Sequence, residues 1–117
     1  MIVRSSEIRP VNRENVAGGE GKIQSAYAMA PGTGPKDSAF RMIATMTMTP
    51  GSSVGGHVHS EDEEVYVILS GSGVYVDADG SRSPVGPGDV TLTFRGQSHA
   101  LINTGKDPLV FLAMVVK

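Results

Sequence analysis

The chain of 117 residues is about one domain long, too short for separate cofactor-binding and substrate-binding domains. Its 10 basic and 12 acidic residues form no basic run, so we expect no nucleic acid partner. No apolar run reaches the length of a signal peptide or a membrane span, so we expect a cytoplasmic protein without a membrane partner. Because cysteine is absent, disulfides, thiolate nucleophiles and sulfur-rich metal sites are excluded, and any metal must be held by nitrogen and oxygen.

The first 37 or so residues are more polar and irregular than the rest of the chain. One segment among them, KIQSAYAM at 22–29, has the composition of a β-strand. We predict that these residues form an arm packed on the core of a single domain, which residues 38–117 provide.

The next segment, AFRMIATMTMT at 39–49, alternates between apolar and polar residues, as expected for a half-buried strand. Arg41 falls on the polar, exposed face of this strand. Flexible methionines on the other face could line an adaptable apolar pocket. The residues predicted to share that face are Phe40, Met42, Ala44, Met46 and Met48.

Short apolar runs separated by Gly and Pro clusters fill the remainder of the chain. EVYVILSG, GDVTLTF and PLVFLAMVV are typical of strands, and GVYVDADGSRSPV indicates a hairpin around Asp79-Gly80. Segments with helical periodicity are missing. The pattern predicts an all-β protein with eight or more strands, arranged as a sandwich or barrel.

The chain has three histidines, and two of them lie one residue apart in the stretch GSSVGGHVHSEDEEVYVILSG. If this stretch is extended, His57 and His59 point to the same face and can present two imidazoles to one metal ion. Glu63 or Glu64 could return towards them from the following strand. The position of His99 in the sheet cannot be predicted from sequence alone.

These residues resemble the two motifs of the cupin superfamily. The first motif, Gly, five residues, His-x-His, three or four residues, Glu, six residues and Gly, matches in full and selects Glu64 over Glu63. The second matches except that Phe94 replaces the usual proline. The matching positions are Gly51, His57, His59, Glu64, Gly71, Gly88, Gly96, His99 and Asn103.

The resemblance implies a double-stranded β-helix, the jelly-roll or cupin barrel, with one divalent transition metal ion on His57, His59, Glu64 and His99. Such nitrogen and oxygen ligation suits Mn, Fe, Co, Ni or Zn, and an ion that prefers six ligands keeps two positions open. The expected function is a metal-dependent enzyme acting on a small oxygen-rich or carboxylate metabolite, of the dioxygenase, decarboxylase or isomerase type. The alternative is a non-catalytic module that binds a small molecule or metal.

With all histidines assigned as ligands, a general acid or base must be a metal-bound water, Tyr66 or Glu61. We predict Tyr66 as the catalytic candidate and expect the acidic run, apart from Glu64, to form a solvated bend. An anionic substrate would contact Arg95, which is favoured over Arg41. The remaining predicted substrate contacts are Gln97, Met46 and Met48.

Assembly is predicted from the strand that begins at Glu64. With Glu64 pointing inward, Tyr66 and Ile68 face the barrel interior, and Val65, Val67 and Leu69 face outward. An outward apolar face of this kind is more than a small monomer normally exposes. We therefore expect a homodimer.

Overall fold

Two antiparallel sheets enclose the apolar side chains of the chain in a computed structural model that describes all 117 residues. The six-stranded sheet has the order β1-β2-β3-β10-β5-β8, and the four-stranded sheet has the order β4-β9-β6-β7. In chain order the strands are β1 (Val11–Glu14), β2 (Lys22–Met29), β3 (Phe40–Met48), β4 (Ser53–Val58), β5 (Glu63–Ser70), β6 (Gly73–Val76), β7 (Arg82–Val85), β8 (Val90–Thr93), β9 (Ser98–Ile102) and β10 (Leu109–Val116).

This arrangement confirms the all-β prediction and the double-stranded β-helix. The strand predicted at 22–29 is β2, and the predicted hairpin is the antiparallel pair β6–β7, in which Val76 lies opposite Arg82. The only helical segments are two three-residue 3-10 turns, so no helix here has the length and apolar character needed to cross a membrane.

The alternation predicted for β3 is present with one exception. Four of the five residues predicted to share the inner face are buried in the core: Met42, Ala44, Met46 and Met48. The prediction is wrong for Phe40, because its side chain is 50% exposed. Phe40 is the first residue of β3 and pairs with Val116 beyond a register shift in β10, so it lies outside the region that the second sheet covers.

The alternation predicted for β5 is confirmed. Tyr66 and Ile68 are buried in the core, whereas Val65 and Val67 are half-buried and Leu69 is exposed. β10 lies between β3 and β5 and buries every second side chain, from Leu109 to Val115, against the same core. The interior face of the large sheet is therefore continuous.

The N-terminal residues extend the large sheet and then cover one side of the small one. β1 pairs with β2, after which the chain turns through the 3-10 segment Val16–Gly18 and packs on β4. Backbone contact there is close: a Cβ on Gly19 would overlap the Ser53 carbonyl oxygen, and one on Gly55 would overlap the Ala17 carbonyl oxygen. Only glycine allows this approach.

The Gly55 contact can be tested with a matched pair of substitutions in β4. Gly55→Ala should lower the free energy of unfolding by about 1–3 kcal/mol, because the added methyl group must displace the 15–21 segment. Gly56→Ala adds the same methyl group where no atom lies within 4 Å, and should change stability by less than about 0.5 kcal/mol. Urea denaturation measures both, and equal losses would contradict the proposed contact.

Candidate metal centre

Both sheets contribute to a cluster of four side chains inside the barrel. His57 on β4 lies directly opposite His99 on β9 in the antiparallel ladder, and His59 follows two residues after His57 on the same side. Glu64 points in from β5 of the other sheet. The Nε2 atoms of the three imidazoles are separated by 3.0, 3.1 and 3.0 Å. The structure thus brings together all four residues predicted as metal ligands.

The donor atoms have the spacing that a shared metal ion requires. Glu64 Oε1 lies 3.0 Å from His59 Nε2 and 2.9 Å from His99 Nε2, but 3.7 Å from His57 Nε2. Ligands about 2.1 Å from one ion and at right angles to one another are about 3.0 Å apart, against about 3.4 Å for a tetrahedral site. The imidazole separations are therefore short enough for all three rings to bind one ion.

The Nδ1 atom of each imidazole has a hydrogen-bond partner that orients the ring. His57 Nδ1 donates to the Gly55 carbonyl oxygen at 3.0 Å, and His59 Nδ1 contacts Asp62 Oδ1 at 2.7 Å. His99 Nδ1 lies 2.7 Å from Thr93 Oγ1. Because protons on the Nδ1 atoms satisfy these partners, the Nε2 lone pairs are left to point at the common centre.

Burial and mutual contact shift the pKa values of the cluster. Burial alone would raise the pKa of Glu64, but its contacts with the three imidazoles hold that pKa well below the usual range. The contact with Glu64 raises the pKa of His57 and of His59, whereas burial lowers the pKa of His99. Glu64 Oε1 is buried and has no hydrogen-bond partner outside the cluster. An anionic carboxylate facing three lone pairs is the donor set of a divalent cation.

A cavity of about 80 Å³ opens beside the cluster on the inner face of the large sheet. Tyr66 lies in its wall, with its ring stacked on His99 at a centroid distance of 4.9 Å. Burial and the Glu64 charge raise the pKa of Tyr66 well above its usual value, so its hydroxyl is a hydrogen-bond donor at neutral pH. The residues that line the cavity are Arg13, Val16, Ile23, Met46, Val54, His57, Tyr66 and Phe111.

The other residues predicted to contact substrate lie in different places. Met46 lines the cavity, whereas Met48 is fully buried in the core and does not. Arg95 is exposed, and its backbone N–H donates to Glu63 Oε2 at 3.3 Å. Gln97 is half-buried and its side chain is not part of the cavity wall. Arg41 is exposed on the outer side of β3, as predicted.

Phe94 and Gln97 together explain the departure from the second motif. The Phe94 N–H donates to Gln97 Oε1 at 3.0 Å, and the Gln97 N–H donates back to the Phe94 carbonyl oxygen at 3.0 Å. Gly96, at φ 85°, allows the turn between them. A proline at position 94 could not donate the first of these bonds. The side chain of Gln97 therefore stabilises the turn that precedes His99.

Three residues near the cluster were not predicted from the sequence. Asp62 was assigned to a solvated bend, but its carboxylate contacts His59. Thr93 bridges His99 Nδ1 and the Tyr75 hydroxyl, which lies 2.8 Å from Thr93 Oγ1. Arg13 reaches the cavity from β1. For Asp62, the sequence signal was its position three residues after His59. For Thr93, the signal was a polar residue on the buried face of GDVTLTF.

A β-barrel with three imidazoles and one carboxylate converging in its interior defines a class of metal-site proteins, and comparison with known families agrees. The "Cupin domain" family profile matches residues 44–115. The chain belongs to the cupin family. An oxalate-binding protein from Thermotoga maritima is 41% identical over 116 residues, 99% of this chain and 93% of that protein. A gentisate 1,2-dioxygenase from a Ralstonia species is 32% identical over 75 residues, 64% of this chain and 21% of that protein.

Solved structures show the same fold. A Thermotoga maritima protein described as a predicted oxalate decarboxylase superposes with a TM-score of 0.86 at 41% identity, covering 99% of this chain and 98% of that one. A sugar phosphate isomerase of the cupin superfamily from Silicibacter pomeroyi gives a TM-score of 0.76 at 21% identity, covering 100% of this chain and 76% of that one. At that identity the second likeness shows the fold alone.

The hydrogen bonds of Thr93 can be tested against its neighbour Thr91, which is also buried on β8. Thr93→Val should cost about 1–3 kcal/mol of stability in chelator-treated protein, because it leaves the His99 N–H and the Tyr75 hydroxyl without their partner. Thr91 Oγ1 has no hydrogen-bond partner, so Thr91→Val should cost less than about 0.5 kcal/mol. Urea denaturation curves that shift equally for both variants would contradict this account.

Proposed function

We propose that the protein holds one divalent transition metal ion on His57, His59, Glu64 and His99 and uses it to bind a small carboxylate. The observation that carries this proposal is the convergence of four donor atoms at one point beside a small apolar cavity. Nitrogen and oxygen donors of this kind suit Mn, Fe, Co, Ni or Zn.

The nature of the ligand follows from the size and chemistry of the site. A bound ion would supply a cationic centre that binds and polarises carboxylate oxygens. Most of the cavity wall is apolar, formed by side chains such as Met46 and Phe111, which exclude water from a short ligand. The cavity volume of about 80 Å³ is well below that of pockets for drug-sized molecules, which is several hundred Å³. An oxalate-like anion fits these limits, and the 41% identical relative named as oxalate-binding supports it.

Enzymatic conversion of the bound carboxylate is the second candidate function. Its structural support is Tyr66, whose buried side chain lines the cavity and stacks on His99. There the phenol can donate a hydrogen bond to a substrate oxygen and can supply a proton to a strongly basic product. The carboxylates of Asp62 and Glu63, which flank the cluster in sequence, already have partners: Asp62 contacts His59, and Glu63 accepts from the Arg95 N–H.

Metal content tests the ligand set directly. Purified protein should contain one divalent ion per chain, and His59→Ala should retain less than a tenth of it, because removing one ligand leaves only three donors. Val58→Ala, at an exposed neighbouring position, is the matched control and should bind metal like the parent. Elemental analysis that finds the same metal content in the parent and in His59→Ala would overturn the assignment.

Carboxylate binding tests the function. Millimolar oxalate should raise the melting temperature of the metal-loaded protein and leave that of the His57→Ala, His59→Ala double variant unchanged, because stabilisation requires a site that only the loaded folded state has. Tyr66→Phe should keep the metal and bind oxalate about tenfold more weakly, owing to the lost hydroxyl. Turnover of oxalate by the parent but not by Tyr66→Phe would establish the second candidate function. A broad carboxylate panel without any thermal shift would refute the first.

We further propose a homodimer formed through the outer face of the large sheet. Val65 and Val67 of β5 lie opposite Leu92 and Val90 of β8, and both β8 side chains are about half exposed, at 51% and 55%. Light scattering should therefore give twice the chain mass, and Leu92→Lys should give the monomer mass because it places a charge in the patch. Val58→Lys, on the other sheet, should remain dimeric. A parent protein that scatters as a monomer at micromolar concentration would exclude this assembly.

A further inference from the structure

Arg13 is the one cationic side chain in the wall of the cavity. The other residues that line it are apolar, apart from His57 and the Tyr66 phenol. Arg13 lies on β1, in the N-terminal segment that the cupin motifs do not reach. A guanidinium in the wall of a largely apolar cavity, which the His57 imidazole also lines, requires an explanation beyond packing.

The register of the sheet fixes the direction in which Arg13 points. Arg13 lies opposite Ile23 in the β1–β2 ladder, and Ile23 lies opposite Met48 in the β2–β3 ladder. Directly paired residues project to the same side of a sheet. Because Ile23 and Met48 are core residues, Arg13 projects to the interior side as well, whereas its neighbours Asn12 and Glu14 lie on the outer face.

The Arg13 guanidinium is held in place by a hydrogen bond that leaves most of its N–H donors free. Arg13 Nη1 donates to the Tyr27 hydroxyl at 3.1 Å, and the Tyr27 ring packs against the core. The residues that follow Arg13 are fixed on β4 by the Gly19 and Gly55 contacts. Of the five N–H donors of a guanidinium, the Tyr27 contact uses one, which leaves the planar fork free to bind an anion.

We propose that Arg13 binds the second carboxylate of a short dicarboxylate whose first carboxylate lies beside His57 in the same cavity. This inference rests on the proposed function and deepens it, because it selects dianions over monocarboxylates and over neutral sugars. The chemistry is a charge-assisted pair of hydrogen bonds from the guanidinium to carboxylate oxygens. A cavity of about 80 Å³ limits the ligand to a few carbon atoms.

Two other arginines provide comparisons. Arg95, favoured from the sequence, is exposed and does not line the cavity. Arg41 is exposed on the outer side of β3, near Lys36 and Phe40. Replacement of any of the three by glutamine removes one positive charge from an exposed position, so the three variants have the same net charge.

The experiment compares malonate and its half-amide, malonamate, which have similar size but differ by one carboxylate. Calorimetry on metal-loaded parent protein should give tighter binding of malonate. In Arg13→Gln, malonate affinity should fall about ten- to a hundredfold and malonamate affinity by no more than about twofold, because only the dianion loses a charged hydrogen bond. Arg13→Lys should restore part of the malonate affinity. Arg41→Gln should bind both ligands like the parent.

Separate outcomes distinguish this inference from the function on which it rests. If the parent binds malonate and Arg13→Gln binds it equally well, the role of Arg13 is overturned and the proposed function stands. A selective malonate loss in Arg95→Gln instead of Arg13→Gln also overturns it. If no carboxylate binds the parent, both proposals fail. Equal metal content and melting temperature of unliganded Arg13→Gln and the parent, measured alongside, exclude a merely structural effect.

Discussion

The arrangement of the protein depends on one electrostatic constraint: three imidazole nitrogens and a carboxylate oxygen lie 2.9 to 3.7 Å from one another in a largely apolar interior. Lone pairs at that distance repel, and burial adds to the cost of the Glu64 charge. A cation at the centre turns each of these costs into a favourable interaction. The hydrogen bonds from the Nδ1 atoms to Gly55, Asp62 and Thr93 serve the same end, because they stop the rings from rotating to relieve the repulsion.

Both sheets and the N-terminal segment contribute to that point and to the cavity beside it. The small sheet supplies the imidazoles, the large sheet supplies Glu64 and Tyr66, and the N-terminal segment supplies Arg13 and Val16. The site residues therefore come from several strands of both sheets, and their relative positions depend on the packing of the barrel. The close backbone contact between Gly19 and β4 extends this packing to the segment that completes the cavity.

Much of this arrangement could be predicted from the sequence, because it depends on short spacings. Alternation identified the inward faces of β3 and β5, and the cupin motifs identified the four clustered residues. Phe40 was misplaced because alternation does not show where a core ends. Asp62 was missed because an acidic run is usually solvated, and Arg13 because the four exposed residues of β1 carry no apolar pattern. Its inward direction depends on pairing with Ile23, a register that local sequence does not specify.

β1 also determines what the border of the large sheet presents to other molecules. It is a four-residue strand with charged residues at Arg13 and Glu14, two features with which natural proteins protect an open sheet edge. Behind it lies β2, eight residues long, whose one charged side chain is that of Lys22. β1 covers the edge of β2 at Lys22–Ser25, so loss of β1 would leave the edge of β2 unpaired along its whole length, a template for edge-to-edge aggregation. The strand that brings Arg13 to the cavity thus also protects the first half of β2 from pairing with a neighbouring chain.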